Sequence, residues 1–145
     1  MKRPALERLA QILREVPGKL SAFSTEAWNT PYAPGKWNKK QVIGHLIDSA
    51  VNNHQRFVRI QFEDAPVIRY AQEQWNQYSY HHLQNEQLLL QTWVSHNTFL
   101  LALLQHIPES ALERTGIGGE GQPFTLAYIV DDYVAHMEHH LQQIL

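Results

Sequence analysis

Cysteine is absent from this 145-residue chain. That excludes a thiol nucleophile, a disulfide framework, Cys-ligated zinc and iron–sulfur clusters, and leaves imidazole and carboxylate as the strong metal ligands. Charge of one sign is scarce too: 12 Lys and Arg against 14 Asp and Glu give a net −2 with histidine neutral. With no basic block, neither a nucleic-acid partner nor an anionic membrane surface is expected. The longest apolar run, Phe99 to Leu104, falls far short of a membrane span. Met1-Lys2-Arg3-Pro4 leads straight into an amphipathic pattern, so no secretory signal is expected and a cytoplasmic location is. What the chain does have is 43% hydrophobic residues, enough for one domain over 1–145, and nine histidines. The histidines need an explanation.

Apolar spacing is helical almost throughout. Leu6, Leu9, Ile12, Leu13 and Val16 recur at threes and fours until Pro17-Gly18 punctuates the run. A short pattern from Leu20 to Trp28 leads into a Pro- and Gly-containing loop at 29–35. Asn38 with Gln41 three residues on, flanked by Trp37 and Val42, reads as a capping box with a hydrophobic staple. Val42, Ile43, Leu46, Ile47, Ala50, Val51, Phe57 and Val58 then form one stripe to about Phe62. Val67 to His82 reads as an irregular connection with a helical turn near Tyr70 to Gln77. Leu83 to Ile107 predicts a third long helix closed by Pro108, and Leu126 to Ile144 a fourth, with Pro123 in its first turn. No segment alternates long enough to be a strand. The expected fold class is all-α, a four-helix bundle.

The most suggestive chemistry lies in His136-Met137-Glu138-His139-His140. His136 and His140, four apart on a helix, project from one face one turn apart, the spacing two ligands need to grip one cation. Nine histidines scattered at random would give roughly half a pair at this spacing, so the pair alone is weak. Its place at the edge of the apolar stripe, where residues line a cleft, strengthens it. A zinc-protease helix needs Glu directly after the first His. Here Met137 holds that place, and Glu138 points about 200° away from His136. A third ligand must come from elsewhere, and the long helix from Asn38 offers His45 and His54. A helical wheel puts His54 within the stripe and His45 well off its centre, and spacing leaves the choice open.

Trp37-Asn38-Lys39-Lys40-Gln41-Val42-Ile43-Gly44-His45-Leu46-Ile47-Asp48 resembles the second-helix signature of the DinB/YfiT-like superfamily, a Trp, a polar turn and a His-Leu-x-Asp run. Thr125-Leu126, then Tyr133-Val134-Ala135-His136 and His139-His140-Leu141-Gln142-Gln143-Ile144, resembles its last helix. The resemblance covers essentially the whole chain in helix order. It implies a four-helix bundle with a divalent metal held by one histidine of the second helix and two of the last. Carried over by position, these are His45, His136 and His140. It thus selects His45 over His54, against the wheel.

On that basis three neutral imidazoles with an open coordination position and bound water imply a metal-dependent hydrolase of a small substrate. Zinc or nickel suits imidazole best, although iron and manganese share the ligand type. Asp48, one turn after His45, and Asp132, one turn before His136, are candidates to orient a ligand or accept a proton. A different class is a metal-dependent S-transferase, for which a low-molecular-weight thiol must be supplied from outside because the chain has no cysteine. A third is a non-enzymatic, stress-related metal-binding or self-associating bundle. The resemblance also implies a homodimer, for which an apolar stripe on the first helix could serve. Two features read as decoys. Gly116-Ile117-Gly118-Gly119-Glu120-Gly121 matches the dinucleotide fingerprint in form but follows no predicted strand, and a flexible hinge is expected there. The aromatics Trp28, Trp37, Tyr70, Trp75, Tyr78 and Tyr80 either wall a pocket or cap the core.

Overall fold

The computed structural model describes residues 3–145; Met1 and Lys2, where the reading for a secretory signal begins, lie outside them. Helix α1 (Pro4–Ser21) starts on a proline whose missing N–H is no loss there, with Glu7 in its first turn and Lys19 in its last. It passes through Pro17, where the sequence predicts a stop. Packing overrides the lost hydrogen bond: Leu20 beyond it is fully buried, and its carbonyl accepts the indole N–H of Trp28 at 3.2 Å. Trp28 closes the short α2 (Thr25–Trp28), capped by Ser24. The apolar stripe of α1, expected to be free for pairing, is spent inside: Leu6, Leu9, Val16 and Leu20 are all buried in the common core.

Helix α3 (Lys39–Arg59) begins at the predicted capping box. Asn38 Oδ1 accepts from the Gln41 backbone at 2.9 Å, and Gln41 Oε1 accepts from the Asn38 backbone at 3.0 Å. A short α4 (Gln72–Tyr78) and a 3-10 turn (His81–Leu83) fill the connection, and α5 (Glu86–His106) follows with Asn85 as its cap. Helix α6 (Leu126–Ile144) ends the chain, capped by Thr125 Oγ1 on the Tyr128 backbone at 3.1 Å. The four long helices form the bundle: α1 and α3 each pack against both α5 and α6. Contacts of His45 with His140 and of Phe57 with Tyr133 show that α3 and α6 run antiparallel. Leu9, Val42, Ile43, Trp93, Leu100, Leu126 and Val130 are among the fully buried core, each worth about 1.5–3 kcal/mol by removal from water.

Two features correct the sequence reading. Thr115–Ile117 (β1) and Pro123–Thr125 (β2) form a small antiparallel ribbon, with Gly116 opposite Phe124. The glycine-rich stretch is therefore largely a hairpin, closed by Gly118 N–H to Gln122 O at 2.7 Å and by Gly121 at φ 84°, and Pro123 belongs to β2. Gly116 lets β1 lie close on Ile60, whose Cδ1 would stand 2.7 Å from a Cβ there. Three-residue strands are too short to show period-two alternation. The second correction is the inward face of α3. Val51, Val58 and Phe62, assigned to the stripe, are exposed, whereas His45, Asp48, Ser49, Asn52 and Asn53 are buried. Among the described residues no helix is long and apolar enough to cross a membrane.

Candidate metal centre

His45 lies on the second turn of α3 and His136 and His140 in the second half of α6, and the antiparallel packing of these helices brings the three rings together. Nε2 of His136 stands 3.3 Å from Nε2 of His45 and 3.1 Å from Nε2 of His140, and one ring nitrogen from each of the three fits within a 4.8 Å span. Bonds of about 2.05 Å in tetrahedral geometry place ligand nitrogens about 3.3 Å apart. The rings meet nearly edge-on, at interplanar angles of 69°, 71° and 77°, so that their nitrogens converge without stacking.

The tautomer at His140 is set by its neighbour. Its Nδ1 lies 3.0 Å from Gln143 Oε1, an oxygen that can only accept, so Nδ1 carries the proton and the Nε2 lone pair faces the cluster. Burial, followed by the neighbouring imidazoles of His136, His140 and His81, pushes His45 down to about 3. Burial and then His140 and His139 bring His136 to about 4. His140 is lowered by burial, partly offset by Gln143. The rings are therefore neutral at pH 7, the form in which imidazole binds metal. The donor set, spacing and tautomer all fit a divalent ion.

The surroundings of His45 contain a residue that sequence reasoning missed. His81, from the 3-10 turn, donates Nε2–H to Asp48 Oδ1 at 2.9 Å, and both side chains are buried. Its ring lies directly over Gly44, where any Cβ would overlap it. The signal was available: a glycine inside a strongly capped helix marks a close approach. His45 Nδ1, Asp48 Oδ2 and His81 Nδ1 are all buried with no hydrogen-bond partner, three orphaned atoms on α3 and on the 3-10 turn packed against it. Trp37 packs on His45 with ring centroids 5.1 Å apart.

The other sequence candidates are placed as follows. Asp48 pairs with His81, and Asp132 is exposed on α6 beside a groove lined by Arg56; neither hydrogen-bonds a ring of the three-histidine cluster. His54 stands more than two turns along α3 from His45, half-buried, with Nδ1 3.1 Å from Nε2 of His96 on α5. Glu138 points away, to Arg8 of α1 at 3.1 Å. Of the aromatics, Trp28 belongs to the core and Trp37 to the cluster, while Tyr78 and Tyr80 are exposed.

The chain has relatives among known proteins. The sequence profile of the DinB superfamily matches residues 5–144. The chain belongs to the DinB superfamily. YfiT of Bacillus subtilis, named as a candidate metal-dependent hydrolase, is 36% identical over 76 residues, which cover 49% of this chain and 43% of that protein. Another relative so named, from Bacillus mycoides, is 26% identical over 144 residues, 96% of this chain and 83% of its own. The solved structure of B. subtilis YfiT, described as a four-helix bundle of unusual topology, superposes on this DinB-superfamily chain with a TM-score of 0.85 at 27% identity, covering 99% of this chain and 86% of that one. A mycothiol-dependent maleylpyruvate isomerase shares the fold, with a TM-score of 0.79 at 12% identity; 97% of this chain aligns to 59% of that chain.

Proposed function

We propose that this DinB-superfamily protein binds a divalent transition metal, zinc or nickel first, through Nε2 of His45, His136 and His140, and hydrolyses a small substrate there. The convergence of these nitrogens at tetrahedral-ligand spacing carries the reading, and the names of the relatives support it. Three protein ligands leave a position open, and a zinc ion so held supplies Lewis acidity and lowers the pKa of coordinated water to about 7. The chain's own residues do the rest. Gln143 fixes the His140 tautomer, Trp37 packs against the His45 ring, and the Asp48–His81 pair supplies a shielded proton acceptor on the α3 side.

The test is metal analysis of purified protein beside a His136→Ala/His140→Ala variant, with circular dichroism as the control for folding. About one ion per chain is expected in the parent and none in a variant that keeps its helicity. Equal metal content in both would overturn the assignment. Because the chain has no cysteine, thiol chemistry at the same centre requires an external thiol. An intense charge-transfer band when a thiol is added to the cobalt-substituted protein would favour the S-transferase class over hydrolysis.

A further inference from the structure

A groove of about 200 Å³ lies between α3, α6 and the β1–β2 hairpin, and Arg56 of α3 and Asp132 of α6 both line it. It is smaller than the roughly 300–1,000 Å³ of drug-sized sites, so its occupant is a small molecule. Arg56 is held in place by two hydrogen bonds, to Asn53 Oδ1 at 3.1 Å and to the Ile68 carbonyl at 2.9 Å. A guanidinium carries five N–H donors, so three remain without a protein acceptor. Among the described residues no carboxylate stands within ion-pair distance of Arg56, and Asp132 is likewise unpaired. A staple for the 63–71 loop needs a donor but no charge, and Arg56 feels Asp132 electrostatically across the groove without touching it, which leaves space between the two charges. Ile60, Ile117 and Phe124 add apolar surface to a lining that is otherwise largely polar, and Gly119 brings backbone to it where a Cβ would meet nothing.

We propose that this groove is a ligand site for a small zwitterion, an α-amino acid or close derivative with an apolar side chain. Its carboxylate sits on the Arg56 fork and its ammonium on Asp132, and the side chain rests against Ile60, Ile117 and Phe124. Arg56 suits the planar carboxylate because its free donors form a fork. Asp132 repels a phosphate dianion and attracts an amine. The glycine-rich stretch thus acquires a role other than the dinucleotide binding its spacing suggests. The proposal is independent of the metal reading, since none of the three clustered histidines lines the groove.

The experiment follows backbone amide shifts of the full chain, metal-free and zinc-loaded, on titration with L-phenylalanine, 3-phenylpropionate and 2-phenylethylamine. L-phenylalanine is expected to saturate at millimolar concentration or below, in both forms, with shifts centred on Gly116 to Gly119. Arg56→Gln should weaken it about tenfold and Asp132→Asn several-fold. The phenylpropionate response should depend on Arg56 and not on Asp132. Gly119→Trp, which leaves both charges in place and obstructs the rim, should also abolish the shifts, so the test survives if Arg56→Gln fails to fold. The proposal is overturned by any of four results. One is no saturable shift at the groove; another is affinity unchanged in Arg56→Gln and Asp132→Asn, or in Gly119→Trp. The third is binding only in the zinc-loaded form with shifts around the histidine cluster, which reports chelation of the ion instead. Inorganic phosphate competing better than the amino acid also refutes the assigned ligand class.

Discussion

Replacing Gly44 by alanine tests the close approach that frames the candidate metal centre. In an ordinary helix interior this change stabilises by about 0.5–1 kcal/mol, because alanine has less backbone freedom to lose. At Gly44 the new methyl would overlap Cγ and Cδ2 of His81 and stand 2.6 Å from its Cβ. The ring must therefore leave, and its hydrogen bond to Asp48 Oδ1 goes with it. Overpacking of this kind costs about 1–3 kcal/mol. Removing the donor from a buried carboxylate, whose other oxygen already lacks one, adds about 1.5–3 kcal/mol. Set against the propensity gain, Gly44→Ala should lose about 1.5–5.5 kcal/mol, measured as a lower urea midpoint at constant slope in the metal-free protein. In a His81→Gly background, which removes the Cβ as well as the ring, the overlap is gone, so the same substitution should cost little or turn stabilising. That double-mutant cycle separates the contact from any general intolerance of α3. A Gly44→Ala protein as stable as the parent, or a penalty unchanged without His81, would refute the reasoning.

Other expectations follow from the same geometry. The Tyr133 hydroxyl donates to Asn97 Oδ1 in the core, and Asn97 in turn donates to the Trp93 carbonyl at 2.9 Å; Tyr133→Phe should cost about 1–3 kcal/mol in chemical denaturation by orphaning that oxygen. Asn38→Ala removes the α3 capping box and should cost about 0.5–2 kcal/mol, seen as a reduced melting temperature with the fold retained. For the metal-free protein, His45 at about 3 and His136 at about 4 lie below the ordinary imidazole value near 6.5. The unfolded chain then binds more protons, so stability is complete above pH 6.5 and is lost progressively as pH falls from there toward 4. A melting temperature flat between pH 7 and 5 would contradict this.

Much of the bundle was legible because its signals are local. The capping box at Asn38 and Gln41 and the helical spacing of Leu126 to Ile144 depend on residues within a turn or two of one another, and they appear where expected. The choice between His45 and His54 was not legible from periodicity. A wheel marks the inward face by apolarity, but the inward face of α3 near the cluster carries Asp48, Ser49, Asn52 and Asn53. Their burial is offset by hydrogen bonds such as Asn52 Nδ2 to the Asp48 carbonyl and Asn53 Nδ2 to the Ser49 carbonyl, which no hydropathy pattern records. The DinB resemblance picked out His45 by motif, and the structure sets it against His136. Pro17 and the hairpin were missed for the opposite reason: a local rule was clear, and tertiary contacts by Leu20 and Gly116 overrode or completed it.

The ring of His45 finds its neighbours on the last helix of the chain, 91 residues downstream. A nascent polypeptide emerging from the ribosome therefore has α3 in hand long before it has anything to set against that polar lane. Until the final nineteen-residue helix swings in, the half-built bundle presents histidine, aspartate and asparagine where a finished one presents a seam. An ion shared by these three histidines would require both helices to be made and packed, and would tie His45 to His136 and His140 across that stretch of chain.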